Sequence, residues 1–112
     1  MFRVALIVAI YGLASVWLFA QDAATAADGQ KVFAAQKCSI CHSVGGVGNK
    51  KGPIDGVGAK LSADEIRQWI VNAPKMAAKT GAERKPAMKV FANLPASDID
   101  ALVAYLQTLK KK

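Results

Sequence analysis

Hydrophobic residues along this chain fall into one unbroken run and three periodic stretches, separated by intervals rich in glycine and lysine. The unbroken run covers 4–20, VALIVAIYGLASVWLFA, without a charge, and Arg3 precedes it. The first periodic stretch, roughly Asp28 to Lys37, carries Val32 and Phe33 on its apolar side and Asp28 at its start. The second opens at Leu61-Ser62. There Ser62 and Glu65 form a capping box, and Ile66, Trp69 and Ile70 share one face at i, i+3, i+4 spacing. Pro74 ends that helix near Asn72. The third follows Pro95, with Ser97 as cap and Asp100 three residues on. Its apolar stripe is Ile99, Leu102, Val103, Leu106 and Leu109. The pattern predicts an all-α domain with three main helices and no β pattern. The interval from Ser43 to Lys60 holds six glycines and one proline and reads as loop. The interval from Ala73 to Leu94 also lacks a sustained apolar period, with room for one extra helical turn through Met76, Ala77, Ala78 and Lys79.

The unbroken run changes the domain count. A basic start, an apolar centre and the small-residue exit Ala24-Thr25-Ala26 make an export signal, with cleavage expected after Ala26. Residues 1–26 are therefore read as a signal peptide and 27–112 as the domain. The competing reading is an uncleaved anchor through 4–20, at the short end of the roughly 17–25 residues that span a bilayer. Both place the domain outside the cytoplasm, in the periplasm.

A domain of this size buries only about 60% of its unfolded surface and commonly needs a disulfide, a metal or a cofactor. A bridge between Cys38 and Cys41 would close a tiny loop and constrain the unfolded chain little. The net charge is +7, unchanged by removal of 1–26 because Arg3 and Asp22 cancel. The basic residues are dispersed and no nucleic-acid-binding motif accompanies them, so an acidic protein partner or an anionic membrane surface fits better than nucleic acid.

Every cysteine and the one histidine of the chain lie in Cys38-Ser39-Ile40-Cys41-His42. On a helical turn, positions i, i+3 and i+4 project together. Two thiols can then add to the two vinyl groups on one side of a haem, with the imidazole beneath the iron, which is the logic of the C-x-x-C-H attachment site. A redox dithiol would want a βαβ context. Structural zinc would want four ligands, and only three are present.

With Gly29 and Phe33 before that motif, Gly52-Pro53 after it, an internal Met and a final helix containing Tyr105, the chain resembles the class I c-type cytochromes from Gly29 to Leu109. The resemblance implies a small cytochrome c fold, with long loops wrapped around one covalently attached haem c and its iron. It implies that the first and last helices cross at Gly29, with Phe33 against Tyr105. It also implies that the carbonyl of Pro53 meets the free N–H of the His42 ring. By the same resemblance the metal ligands are His42 and a Met sulfur, the latter being Met88 rather than Met76. Pro86 restricts the backbone just before Met88. Trp69 is expected beside the haem plane or a propionate, or else as a plain core aromatic. Two intervals are longer than in close mitochondrial members, Phe33 to Cys38 by one residue and Pro74 to Met88 by several.

The function implied is one-electron transfer by an iron cycling between Fe(III) and Fe(II), not enzymatic catalysis. Its partners would be redox proteins with acidic docking surfaces, such as an oxidase, a reaction centre or a dehydrogenase. Lys37, Lys50, Lys51, Lys75, Lys79, Arg84, Lys85 and Lys89 are candidates for a basic docking rim. The alternatives are a haem catalyst or gas sensor with a displaceable sixth ligand, and a fixed subunit of a larger membrane complex.

Overall fold

A computed structural model describes residues 25–111. The run at 4–20, expected to direct export or to anchor, lies outside the described residues. Among those described, no helix is long and apolar enough to cross a membrane.

Among the described residues, five helices carry the fold. Helix α1 covers 25–35, starting earlier than Asp28 and ending before Lys37. It ends because Lys37 takes a left-handed conformation, φ 58°. A single 3-10 turn, Cys38–Ile40, follows. Then come α2 (Val57–Lys60), α3 (Ala63–Val71), α4 (Ala73–Thr80) and α5 (Ala96–Gln107).

The interval expected to be loop contains a minimal hairpin, β1 (Ser43–Val44) against β2 (Val47–Gly48). Its turn residues Gly45 and Gly46 have φ 58° and 79°, the positive-φ pair that a tight two-residue hairpin turn requires. Two residues per strand are too few for an alternating pattern to register in the sequence.

Pro74 does stop α3, and it also opens α4, where it stands in the first turn. Its missing N–H is one that no helix of this direction would have used, and its φ is already helical. So α4 is a helix of eight residues rather than one extra turn. At its far end Gly81, φ 73°, reverses the chain, with the N–H groups of Gly81 and Ala82 both donated to the carbonyl of Ala77.

The capping box of α3 forms as expected. Glu65 N donates to Ser62 Oγ at 3.2 Å and Ser62 N donates to Glu65 Oε1 at 3.0 Å. The Ser62 backbone N–H first, and the Ser62 side chain second, hold the Glu65 carboxyl below its usual range. The cap of α5 is a correction. The helix begins at Ala96, its N-cap is Pro95 and no side chain caps it. Asp98 N and Ile99 N already donate to the Pro95 carbonyl, at 3.0 and 3.1 Å, so Ser97 lies inside the first turn instead of ahead of it.

The core joins α3 to α5 through Ile66, Ile70, Ile99, Leu102, Val103 and Leu106. Ile66 and Ile70 are fully enclosed, each contributing roughly 1.5–3 kcal/mol by removal from water. Helix α1 crosses α5 at Gly29, whose α-carbon lies against the carbonyl of Ala101 and Cβ of Tyr105. One turn on, the rings of Phe33 and Tyr105 meet edge to face with centroids 5.6 Å apart. At the C-terminal end of α5, Gly58 of α2 lies against the Gln107 carbonyl and donates its N–H to Leu109 O at 2.7 Å.

Replacing Gly29 by Val is expected to cost at least about 1–3 kcal/mol, because the added carbons overlap the Ala101 carbonyl, which cannot rotate away. Gly45→Ala meets open space, and its cost is limited to the left-handed backbone, about 1–2 kcal/mol. Guanidinium unfolding midpoints of the two variants check the order.

Candidate haem site

The attachment segment forms one turn. Cys41 N donates to Cys38 O at 3.1 Å and His42 N donates to the same oxygen at 2.9 Å. Cys38, Cys41 and His42 thus stand on a common turn, as their spacing requires. Both thiols are free and half-buried. The turn is tied to the residue after β2, Asn49, which donates its backbone N–H to Ser39 O and its side-chain amide to Ile40 O, both at 3.0 Å.

In front of the turn lies a cavity of about 780 Å³. Cys38, Cys41, His42, Pro53, Trp69 and Met88 all line it. The site residues expected from sequence therefore share one space, although they are drawn from the turn, the Gly-Pro loop, α3 and the 82–95 segment. Met76, the other candidate sulfur, is buried in α4 and does not line the cavity. The walls are completed by apolar side chains that no motif marked, among them Ile54, Ala77 and Phe91.

The His42 contact differs from the expected one. Nδ1 of the ring donates to the carbonyl of Gly52, at 3.1 Å, and not to that of Pro53. The cause is the pairing of Ser43 with Pro53 in a parallel bridge. Ser43 N donates to Gly52 O and Ile54 N donates to Ser43 O, at 3.1 and 3.0 Å. In such a bridge one residue, here Ser43, uses its own N–H and C=O, while its partner Pro53 is bracketed by the groups of its neighbours and its own carbonyl faces away. Gly52 O is thus aimed at His42, and Pro53, which has no N–H to lose, occupies the outward position.

Electrostatics follow from burial. Desolvation lowers the pKa of His42, and the charge of Arg84 lowers it further against the opposing pull of the Gly52 carbonyl. The ring is therefore neutral at neutral pH, with Nδ1 carrying its proton and Nε2 keeping a lone pair for a metal. Burial likewise pushes the Cys38 thiol up.

Two free thiols and a neutral imidazole on one turn, facing an apolar cavity of this volume, fit a covalently attached haem. The elements define a small all-α domain built to hold one. The family model described as Cytochrome c matches residues 26–110, and the chain belongs to the cytochrome c family. No curated protein and no solved structure matches it. Members of this family bind haem c and generally transfer electrons, and Cys38 and Cys41 fit its attachment motif. The fold and the cofactor expected from sequence both stand.

Replacing Cys38 and Cys41 together by Ser is expected to abolish haem retention in acidified acetone. Each single replacement leaves one thioether and retains it. Denaturing-gel haem stain and intact mass check both outcomes.

Proposed function

We propose that the protein is an exported monohaem electron carrier, with its iron held between His42 and Met88. The observation that carries this reading is that the His42 imidazole and the Met88 sulfur-bearing side chain line one cavity together with both thiols, whereas Met76 does not. When bound, the haem supplies reversible one-electron exchange between Fe(III) and Fe(II). The chain's part is to keep the surroundings alike in both states. His42 is held by its Nδ1–H contact to Gly52 O, which fixes ring and tautomer. Met88 offers a soft thioether, which favours the reduced iron. Ile66, Ile70 and Leu102, which also line the cavity, exclude water from it.

Docking to an acidic redox partner is supported by the surface around the attachment turn. Ile40, within that turn, and Val47, on the neighbouring β2, are exposed at 65% and 75%. Lys37, Lys50 and Lys51 stand exposed on the segments that flank them. Lys37, Arg84 and Lys89 of the expected rim reach the cavity wall. An apolar centre within a basic margin suits a partner with the complementary arrangement. Export through the 4–20 run accords with this partner and with thioether attachment outside the cytoplasm.

A catalyst or gas sensor would need a displaceable ligand opposite His42. No second imidazole exists in the chain to serve as acid or base there.

Carbon monoxide separates these readings. The reduced holoprotein is expected to keep an unchanged low-spin absorption spectrum on CO addition, and a rapid shift would reject the carrier reading. Met88→Ala is expected to bind CO at once. Met76→Ala is expected to leave the spectrum intact while losing about 2–5 kcal/mol of stability, the usual cost of truncating a buried Met. Electron transfer to an acidic partner is expected to slow as ionic strength rises, which stopped-flow mixing at two salt concentrations would show.

A further inference from the structure

Arg84 occupies a place that neither the attachment motif nor the Met88 loop explains. It lies three residues beyond Gly81, and the reversal there brings the chain after α4 back across the cavity. Its guanidinium lies against the α-carbon of Gly52. A Cβ at Gly52 would come within 2.7 Å of Arg84 Cζ and would collide with Arg84 Nη1 on one side and the Cys41 carbonyl on the other. Only glycine leaves room for that approach. Gly52 is also the residue whose carbonyl accepts both Ser43 N and His42 Nδ1, each at 3.1 Å. The cation therefore stands one carbon away from the carbonyl against which the His42 ring leans. Among the described residues, no carboxylate pairs with Arg84; the one ion pair they form joins Arg67 to Asp100 on another face.

We propose that Arg84 is a positioning residue that packs the Gly52 peptide against the His42 ring and, through its uncompensated charge there, raises the reduction potential of the iron. This rests on His42 being the axial ligand. Two effects share one sign. A guanidinium is charged at every accessible pH, and a nearby positive charge disfavours the ferric centre relative to the ferrous one, which carries one positive charge fewer. A cation beside the Gly52 peptide also draws electron density from its carbonyl. The oxygen then accepts less strongly from Nδ1–H, and the imidazole becomes a weaker donor to the metal. Both effects stabilise the reduced form. The exposed position of Arg84 limits the effect through solvent and salt.

The test compares the holoprotein with Arg84→Gln and Arg84→Lys by spectroelectrochemical titration, with the His42 ring N–H followed by proton NMR. Arg84→Gln is expected to lower the midpoint by about 30 mV, equivalent to about a threefold change in the ferric-to-ferrous ratio at a fixed poise. The ring N–H resonance is expected to move with it, while the low-spin spectrum stays. Arg84→Lys is expected to recover most of the potential because it keeps the charge. An unchanged midpoint in Arg84→Gln would overturn the proposal while leaving His42 ligation standing. So would a drop seen only above a carboxyl titration with the ring N–H unmoved, since that would place Arg84 on the haem's own carboxylates. A wild-type spectrum without His-ligated iron would instead remove the axial reading, and the proposal with it.

Discussion

Backbone meets backbone where Gly29 of α1 passes over the carbonyl of Ala101 in α5, and the position of the attachment turn follows from that contact. With the helices this close, Phe33 can reach Tyr105 while its ring also borders the cavity. Helix α1 then has only a short way to run before Lys37 turns it out of the helix. Cys38 begins at that exit. A bulkier residue at 29 would lift α1 from α5 and carry the whole attachment turn with it. The C-terminal end of α5 is held in a similar way by Gly58, so the helix that supplies most of the core is gripped at its middle and at its last turn by glycine contacts. Leu102 and Leu106 on the same helix face α3 and border the cavity.

How much of this was legible in the sequence depends on the range over which each feature is encoded. Helices α3 and α5 declare themselves within a dozen residues, by apolar spacing and, for α3, by the Ser62–Glu65 box. The attachment turn is encoded in five residues and formed as read. Features that depend on what lies across the fold were not legible. Pro74 marks the end of one helix and equally the start of another, and the choice is made by burial of Ala73 and Met76 beneath α4, not by local pattern. Ser97 looks like a cap until the Pro95 carbonyl is seen to start the helix earlier. Gly52 rather than Pro53 meets His42 because a parallel bridge to Ser43 decides which carbonyl points inward. The approach of Arg84 to Gly52 leaves no trace of spacing or composition. Its only local hint is that Gly52 is a glycine.

Rigidity is divided unevenly between the two sides of the cavity, and the division suits the chemistry of each. On the His42 side, the attachment turn, hairpin and Gly-Pro loop are cross-tied by backbone and Asn49 hydrogen bonds, and Gly52 O alone accepts two of them. Such ties suit thioether formation and the proposed ligation by His42, both of which demand fixed geometry from a short segment. On the Met88 side, the segment 82–95 has no regular element. Its ties include Phe91 N to Ile70 O at 2.9 Å and Leu94 N to Phe91 O at 3.3 Å. A thioether sulfur on an unbranched side chain tolerates more latitude than an imidazole ring. The same loop that presents Met88 also carries Arg84 at its entry, so a small number of irregular residues bears on both faces of the cavity. Placing the strict constraint on the side where covalent attachment already fixes the chain, and the looser one where a flexible side chain can adapt, lets so small a domain enclose a large group without a tightly ordered shell on every side.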